Sequence, residues 1–166
     1  AILTGEPLIG DQAFAVILGD DLCDCNEGGV ISQLIEIYDQ YKCSVIAIEE
    51  VPMDQVNNYG IISGNLVENS NTTFKVNQMI EKPDEKNAPS NMAIIGRYVL
   101  TPDIFNILRN IKPGKNGEIQ ITDALNIQAK QGKVIAYKFK GKRFDCGSLK
   151  GYLEATNFFA SKQGII

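Results

Sequence analysis

The sequence predicts an α/β fold, a mostly parallel sheet with a β-rich insertion. Three observations predict it. Apolar runs of strand length stand at 14–18, 43–51 and 92–100; a helical apolar stripe lies between the first two; and two short β stretches in the middle are separated by turn residues.

Taken in order, Ala1 to Leu3 reads as a helix already under way, with no initiator Met. FAVIL (14–18) is an unbroken apolar run ending at Gly19-Asp20-Asp21, the pattern of a strand covered on both faces. Val30, Ile31, Leu34, Ile35, Tyr38 and Tyr41 then fall at helical spacing, predicting an amphipathic helix over 29–42. CSVIAIEEV (43–51) is the next strand, completing a strand–helix–strand unit. Tyr59 to Val67 and Phe74 to Ile80 flank the turn-rich ENSNTT and predict a hairpin, with Phe74, Val76 and Ile80 on one face. Residues 83–91 are loop by composition, and Met92 to Leu100 is the third apolar strand. Thr101-Pro102-Asp103 places an N-cap, a first-turn proline and an early acid ahead of a helix to about Asn110. Thr122-Asp123 opens another helix, Lys133 to Lys140 alternates as a strand, and Ser148 opens a final helix to about Lys162. No repeat or long linker interrupts 1–166, which reads as one domain.

Composition narrows the chemistry. With 16 basic and 20 acidic residues the formal charge is −4, which gives no support to nucleic-acid or anionic-membrane binding. No apolar run approaches the roughly 18 residues of a membrane span. The start lacks the basic-then-apolar pattern of a secretory signal; processing would explain the missing Met, but a truncated start explains both it and the helix already under way. The four cysteines form no paired CxxC units, so reduced, partly buried thiols of a cytosolic protein are preferred over a zinc site. The chain contains no histidine, which removes Ser-His and Cys-His mechanisms. Chemistry must rest on carboxylates, lysines, backbone amides or a metal.

In open α/β sheets ligands bind beyond the carboxyl ends of the strands. Four segments reach that edge: Gly19-Asp20-Asp21, Tyr59-Gly60-Ile61, Glu81-Lys82-Pro83 and Phe144-Asp145-Cys146-Gly147. Carboxylates at a strand exit suit Mg²⁺, which takes one or two of them together with substrate phosphates; they equally suit a turn cap. A calcium loop starting at Asp24 fails because Ile35 stands where its bidentate Glu belongs. Glu81 can accept from sugar hydroxyls and Lys82 can meet a phosphate, although an isolated Glu-Lys is more often a solvated strand end. Gly60 permits close backbone approach or a bulge. Asp145 offers a second carboxylate or a contact opening the last helix, and Lys140, Lys142 and Arg143 read as a solvated basic edge.

Together the blocks PLIGDQAFAVILGDDL (7–22), YGII (59–62), MIEKP (79–83), APSNMAIIGRYVLTPDIF (88–105), GEIQITDAL (117–125) and FDCGSLKGYLEA (144–155) resemble the bacterial UTP:glucose-1-phosphate uridylyltransferases. The resemblance implies a Rossmann-like nucleotidyltransferase core in a cytoplasmic enzyme of carbohydrate metabolism. Its reaction would join glucose 1-phosphate to UTP, giving UDP-glucose and pyrophosphate with Mg²⁺, in a dimer or tetramer. It further implies Asp20 as catalytic metal ligand, Asp145 as the second acid near the metal, and Gly60 and Glu81 on glucose. Lys82 would act on the sugar phosphate, and Met92 and Ala93 would lie along the sugar pocket wall. The family's glycine-rich segment for the UTP phosphates has no counterpart in 1–166, so the resemblance is to the C-terminal portion, expected to be inactive alone. Phe-Asp-Cys-Gly, where related thymidylyl enzymes carry Leu-Asp-Thr-Gly, favours the uridylyl branch over another sugar phosphate and nucleotide pair. A noncatalytic sugar-phosphate-binding domain is the alternative of a different class.

Overall fold

A computed structural model describes residues 1–26, 28–114 and 117–165. A 3₁₀ helix, Ile2–Gly5, leads into the single turn α1 (Glu6–Ile9). The elements that follow are β1 (Phe14–Ile17), β2 (Asp21–Asp24), α2 (Val30–Tyr41), β3 (Ser44–Glu50), β4 (Gly60–Leu66), β5 (Thr73–Glu81), β6 (Met92–Leu100), α3 (Asp103–Asn110), α4 (Ile121–Lys130), β7 (Val134–Lys138), β8 (Lys142–Asp145) and α5 (Leu149–Lys162).

Six strands form one sheet in the order β1-β6-β3-β7-β5-β4. The fold is α/β, but the sheet is mixed rather than mostly parallel. Among the described residues β3 with β7 is the parallel pairing, while β1–β6, β3–β6, β5–β7 and β4–β5 run antiparallel. The physical reason is that β6 inserts antiparallel between β1 and β3. Those two strands keep the common direction expected of a strand–helix–strand unit without touching. An apolar run does not reveal strand direction, because burial on both faces reads the same in either ladder.

Burial on both faces follows from the alternation along β3 and β6. Val45, Ala47, Ile95 and Val99 meet Val30 and Leu34 of α2 on one side. Ile46, Ile48, Ile94, Tyr98 and Leu100 meet Ile104, Phe105 and Leu108 of α3 and Ala124 and Leu125 of α4 on the other. Of the predicted α2 stripe, Val30 and Leu34 are buried, whereas Ile35 lies at the outer edge of the stripe and is exposed.

Two irregularities aim residues at the site. In β5, Val76 pairs with Gly64 and Gln78 with Ser63, leaving Asn77 as an extra residue. This bulge reverses the alternation. Met79, not the expected Ile80, therefore joins Val76 in the core against α4. Glu81, two residues beyond Met79, follows it onto the α4 side. In β6, Tyr98 pairs with Ile46 but Ile94 pairs with Ile48, so the ladder is interrupted at Ile95–Arg97.

The expected Thr101 cap is also corrected. Its hydroxyl is drawn into a buried polar cluster with Ser44, Gln128 and Asp103 instead of capping α3. Ser148 does cap α5, accepting from the Gly151 amide at 3.0 Å. Among the described residues no helix is long and apolar enough to cross a membrane. The four cysteines are free thiols, half-buried; burial pushes Cys23 up to about 11, so it stays protonated and unreactive near neutral pH.

Candidate active site

The sequence carries no signal for the feature that organises the site. β2 and β8 pair as a separate antiparallel ribbon, with Asp21 opposite Asp145. The ribbon lies against β6 at its interruption. There the Gly96 amide donates to Asp21 Oδ2 at 2.7 Å, and the Gly96 carbonyl accepts from the Leu18 amide. Gly96 must be glycine: a Cβ would stand 2.6 Å from both Asp21 Oδ2 and the Leu18 side chain. Arg97, itself buried, donates to the carbonyl oxygens of Leu18, Gly96 and Asp21, fixing the turn that carries Asp20.

Asp20 and Asp21 thus divide. Asp21 is buried and spent on the Gly96 amide and Arg143. Asp20 is exposed and faces a cleft of about 320 Å³. The same cleft receives Tyr59, Gly60, Glu81, Lys82 and Asp145, together with Tyr98 and Thr122. All four segments singled out in the sequence therefore converge. A larger hollow, about 680 Å³ beside Asp24, Gln33 and Lys140, receives none of the predicted site residues.

Asp20 and Asp145 approach each other across Gly147. A Cβ there would lie 3.1 Å from Asp145 Oδ1 and 3.5 Å from Asp20 Oδ2. The Cys146 amide donates to the Asp20 carbonyl at 2.7 Å, tying the two acid-bearing turns together. Asp145 Oδ1 accepts from the Gly147 amide at 3.1 Å, and its Oδ2 accepts from the Tyr59 hydroxyl at 2.9 Å. Two convergent carboxylates fit a hard divalent cation that keeps water and phosphate among its ligands. Among the described residues no group of three or more His, Cys, Asp or Glu forms a fuller cage.

On the opposite wall Glu81 pairs with Gly60 across the hairpin and accepts from Thr122 Oγ1 at 2.5 Å. Gly60 leaves the space between them open, since a Cβ would stand 2.9 Å from Thr122 Oγ1, 3.1 Å from Ile94 and 3.2 Å from Glu81. Lys82 has φ +45°, a left-handed conformation uncommon outside glycine, and its amide donates to the Tyr59 carbonyl at 2.9 Å. The strand thereby turns sharply where the lysine reaches the cleft. Met92 and Ala93 do not line it. Ala93 is fully buried with Val51, Val56 and Ile61, Met92 packs on the core, and the wall is made by Ile94 and Gly96 of the same strand.

Arg143 also departs from expectation. Its side chain is 6% exposed, paired with Asp21, with Glu49 at 2.7 Å and with Asp145 at 3.2 Å, and its guanidinium lies 4.9 Å from the Tyr59 ring centre. Burial alone would disfavour the cation, but contact with Tyr59, Asp21 and Glu49 more than offsets this and raises its pKa. Burial likewise pushes the Tyr59 phenol up, so it is a hydrogen-bond donor to Asp145. Sequence reasoning missed Thr122, Tyr59 and Arg143 as site residues. For Arg143 the flanking lysines hid the signal; for Thr122 it was present in the GEIQITDAL block, read there only as a helix start.

A mixed α/β sheet with two carboxylates converging at one cleft is the frame of this chain, which belongs to the nucleotidyl transferase family, whose profile matches residues 1–162. Within that family it is similar to the UTP–glucose-1-phosphate uridylyltransferase of Pseudomonas aeruginosa strain PAO1, 60% identical over 159 residues covering 95% of this chain and 56% of that protein. The UTP–glucose-1-phosphate uridylyltransferase 2 of Staphylococcus saprophyticus is 43% identical over 98% of this chain and 55% of its own length. Among solved structures, a UDP-glucose pyrophosphorylase complexed with UDP-glucose superposes with a TM-score of 0.93 at 54% identity, covering 97% of this chain and 61% of that one. The UTP-bound enzyme of Acinetobacter baumannii gives 0.83 at 34% identity, covering 97% and 55%. The chain thus spans somewhat over half the length of the relatives it matches.

Proposed function

We propose that this chain provides the sugar-phosphate and metal half of a UTP:glucose-1-phosphate uridylyltransferase, acting as one domain over residues 1–166. The observation that carries it is the convergence of Asp20, Asp145, Gly60, Glu81 and Lys82 on one cleft. Glu81, held by Thr122, accepts hydrogen bonds from glucose hydroxyls in the space that Gly60 leaves. Lys82 neutralises the sugar phosphate. That phosphate's oxygen attacks the α-phosphorus of UTP, forming a new P–O bond, while the bond to the β-phosphate oxygen breaks and pyrophosphate leaves with the electron pair. The attacking oxygen is already anionic, so no general base is needed, in accord with a chain lacking histidine. Asp20 and Asp145 would hold Mg²⁺, which would supply charge neutralisation for the substrate phosphates. The remaining task of the protein is positioning. We place the enzyme in the cytoplasm, as a homodimer or homotetramer.

The test is a coupled pyrophosphate-release assay on the full-length enzyme with UTP and glucose 1-phosphate. Asp20→Asn should lower turnover at least about a hundredfold, the scale of losing one preorganised electrostatic group. Near-normal turnover with unchanged magnesium dependence refutes the assignment. Residues 1–166 alone should release no pyrophosphate, since a glycine-rich UTP-phosphate loop is lacking in that stretch.

A further inference from the structure

Three carboxylates, Asp21, Glu49 and Asp145, meet the single guanidinium of Arg143. They come from β2, β3 and β8, so this one side chain joins the ribbon to the main sheet. Its plane lies beside the Tyr59 ring, and Tyr59 in turn donates to Asp145 Oδ2, the oxygen that Arg143 also contacts. Both partners therefore bind Oδ2 of Asp145; Oδ1, on the Gly147 side where Asp20 stands, accepts only from the Gly147 amide among the described residues and keeps a lone pair for an incoming ligand.

We propose that Arg143 is a positioning residue for the divalent cation, orienting Asp145 so that it offers Oδ1 alone, in register with Asp20. The proposal rests on Asp20 and Asp145 being the metal-receiving pair. Its sign is distinctive. A nearby cation should by Coulomb repulsion weaken metal binding. If Arg143 acted only as a charge, its removal would tighten binding; if it positions Asp145, losing its fork weakens binding even with the charge retained.

The experiment uses full-length enzyme with Arg143→Lys, Tyr59→Phe, Asp20→Asn and Asp145→Asn variants. Mn²⁺ affinity is measured by electron paramagnetic resonance without substrates, alongside the thermal midpoint and the KM for Mg²⁺. Arg143→Lys should weaken Mn²⁺ binding about tenfold, as expected when a partner that orients a metal ligand is lost. Its KM for Mg²⁺ should rise in parallel, with kcat at saturating Mg²⁺ retained within about threefold. Tyr59→Phe, which removes one hydroxyl, should shift Mn²⁺ affinity in the same direction by about threefold with an unchanged thermal midpoint; it decides the matter if the lysine variant fails to fold. Wild-type Mn²⁺ affinity in either folded variant, while Asp20→Asn binds weakly, overturns the proposal and leaves the metal assignment standing. Unchanged affinity in both aspartate variants overturns the metal assignment and the proposal with it.

Discussion

At the scale of single residues, the site depends on small absences as much as on charged groups. Gly60 is the clearest case, because its missing side chain is the space between Thr122, Ile94 and Glu81. Adding one methyl must push the Glu81 carboxylate by a few tenths of an ångström. Gly60→Ala should therefore raise the KM for glucose 1-phosphate about tenfold, with kcat less affected, as misplacement of a positioning group predicts. Steady-state kinetics at saturating UTP checks it. Glu81, Lys82 and Asp20 were legible as cleft-edge candidates because each stands at the end of an apolar or alternating run, and Asp145 because it sits between an aromatic residue and Cys-Gly. Arg143 was not, since burial of a charge depends on partners that are distant in sequence. Asp21 lies 122 positions away and Glu49 lies 94. Ala93 was misplaced for a related reason: with period-two alternation, one step along β6 from Ile94 moves a side chain from cleft wall to the packing beneath it, whereas Met92 shares the face of Ile94 and packs on the core farther along the strand.

Among the elements, those announced by local chemistry came out nearly as expected. β6 spans the predicted 92–100, and α2 covers Val30–Tyr41 within the predicted 29–42. α5 begins directly after its Ser148 cap. Removing that cap by Ser148→Ala should cost about 1 kcal/mol, read as a lower thermal midpoint, because the Gly151 amide loses its acceptor. Gly151 itself leaves no room for repair, since a Cβ there would collide with the Asp145 carbonyl. The ribbon of β2 and β8 escaped prediction. DLCD and KRFD are four-residue segments without an apolar alternation, and their pairing spans most of the chain. The β5 bulge escaped as well, because an extra residue leaves no mark on composition.

For the molecule as a whole, the sheet is tied near one end to the two helices of one face by the polar cluster of Ser44, Thr101, Asp103, Gln128 and Lys133. It links β3, the start of α3, α4 and the approach to β7. Burial opposes ionisation of Asp103, but bonds from Thr101, Lys133 and Gln128 prevail and hold its carboxyl below the usual range. A folded-state pKa below the unfolded value gives stability that is present above the ordinary carboxylate range and is lost as pH falls through it. Denaturant midpoints followed from about pH 6 down to about pH 3 should therefore decline more steeply in the wild type than in Asp103→Asn. Equal slopes would assign the acid sensitivity elsewhere. Strand direction is the other global property that the sequence withheld: β6 between β1 and β3 changes the ladder without changing which faces are apolar.

The pairing of Asp21 with Asp145 has a consequence for how such a chain can vary. A strand displaced by one position turns every side chain over. Deleting a single residue from 142–145 would thus exchange Asp145 for its neighbour Phe144 or Cys146 on the side facing Asp20, even if composition were otherwise preserved. The hairpin tip at 67–72, by contrast, bears no group that faces the cleft and can lengthen freely. Chain length is constrained where the ribbon runs and unconstrained at the far turn, so gaps should be purged from one and accumulate in the other.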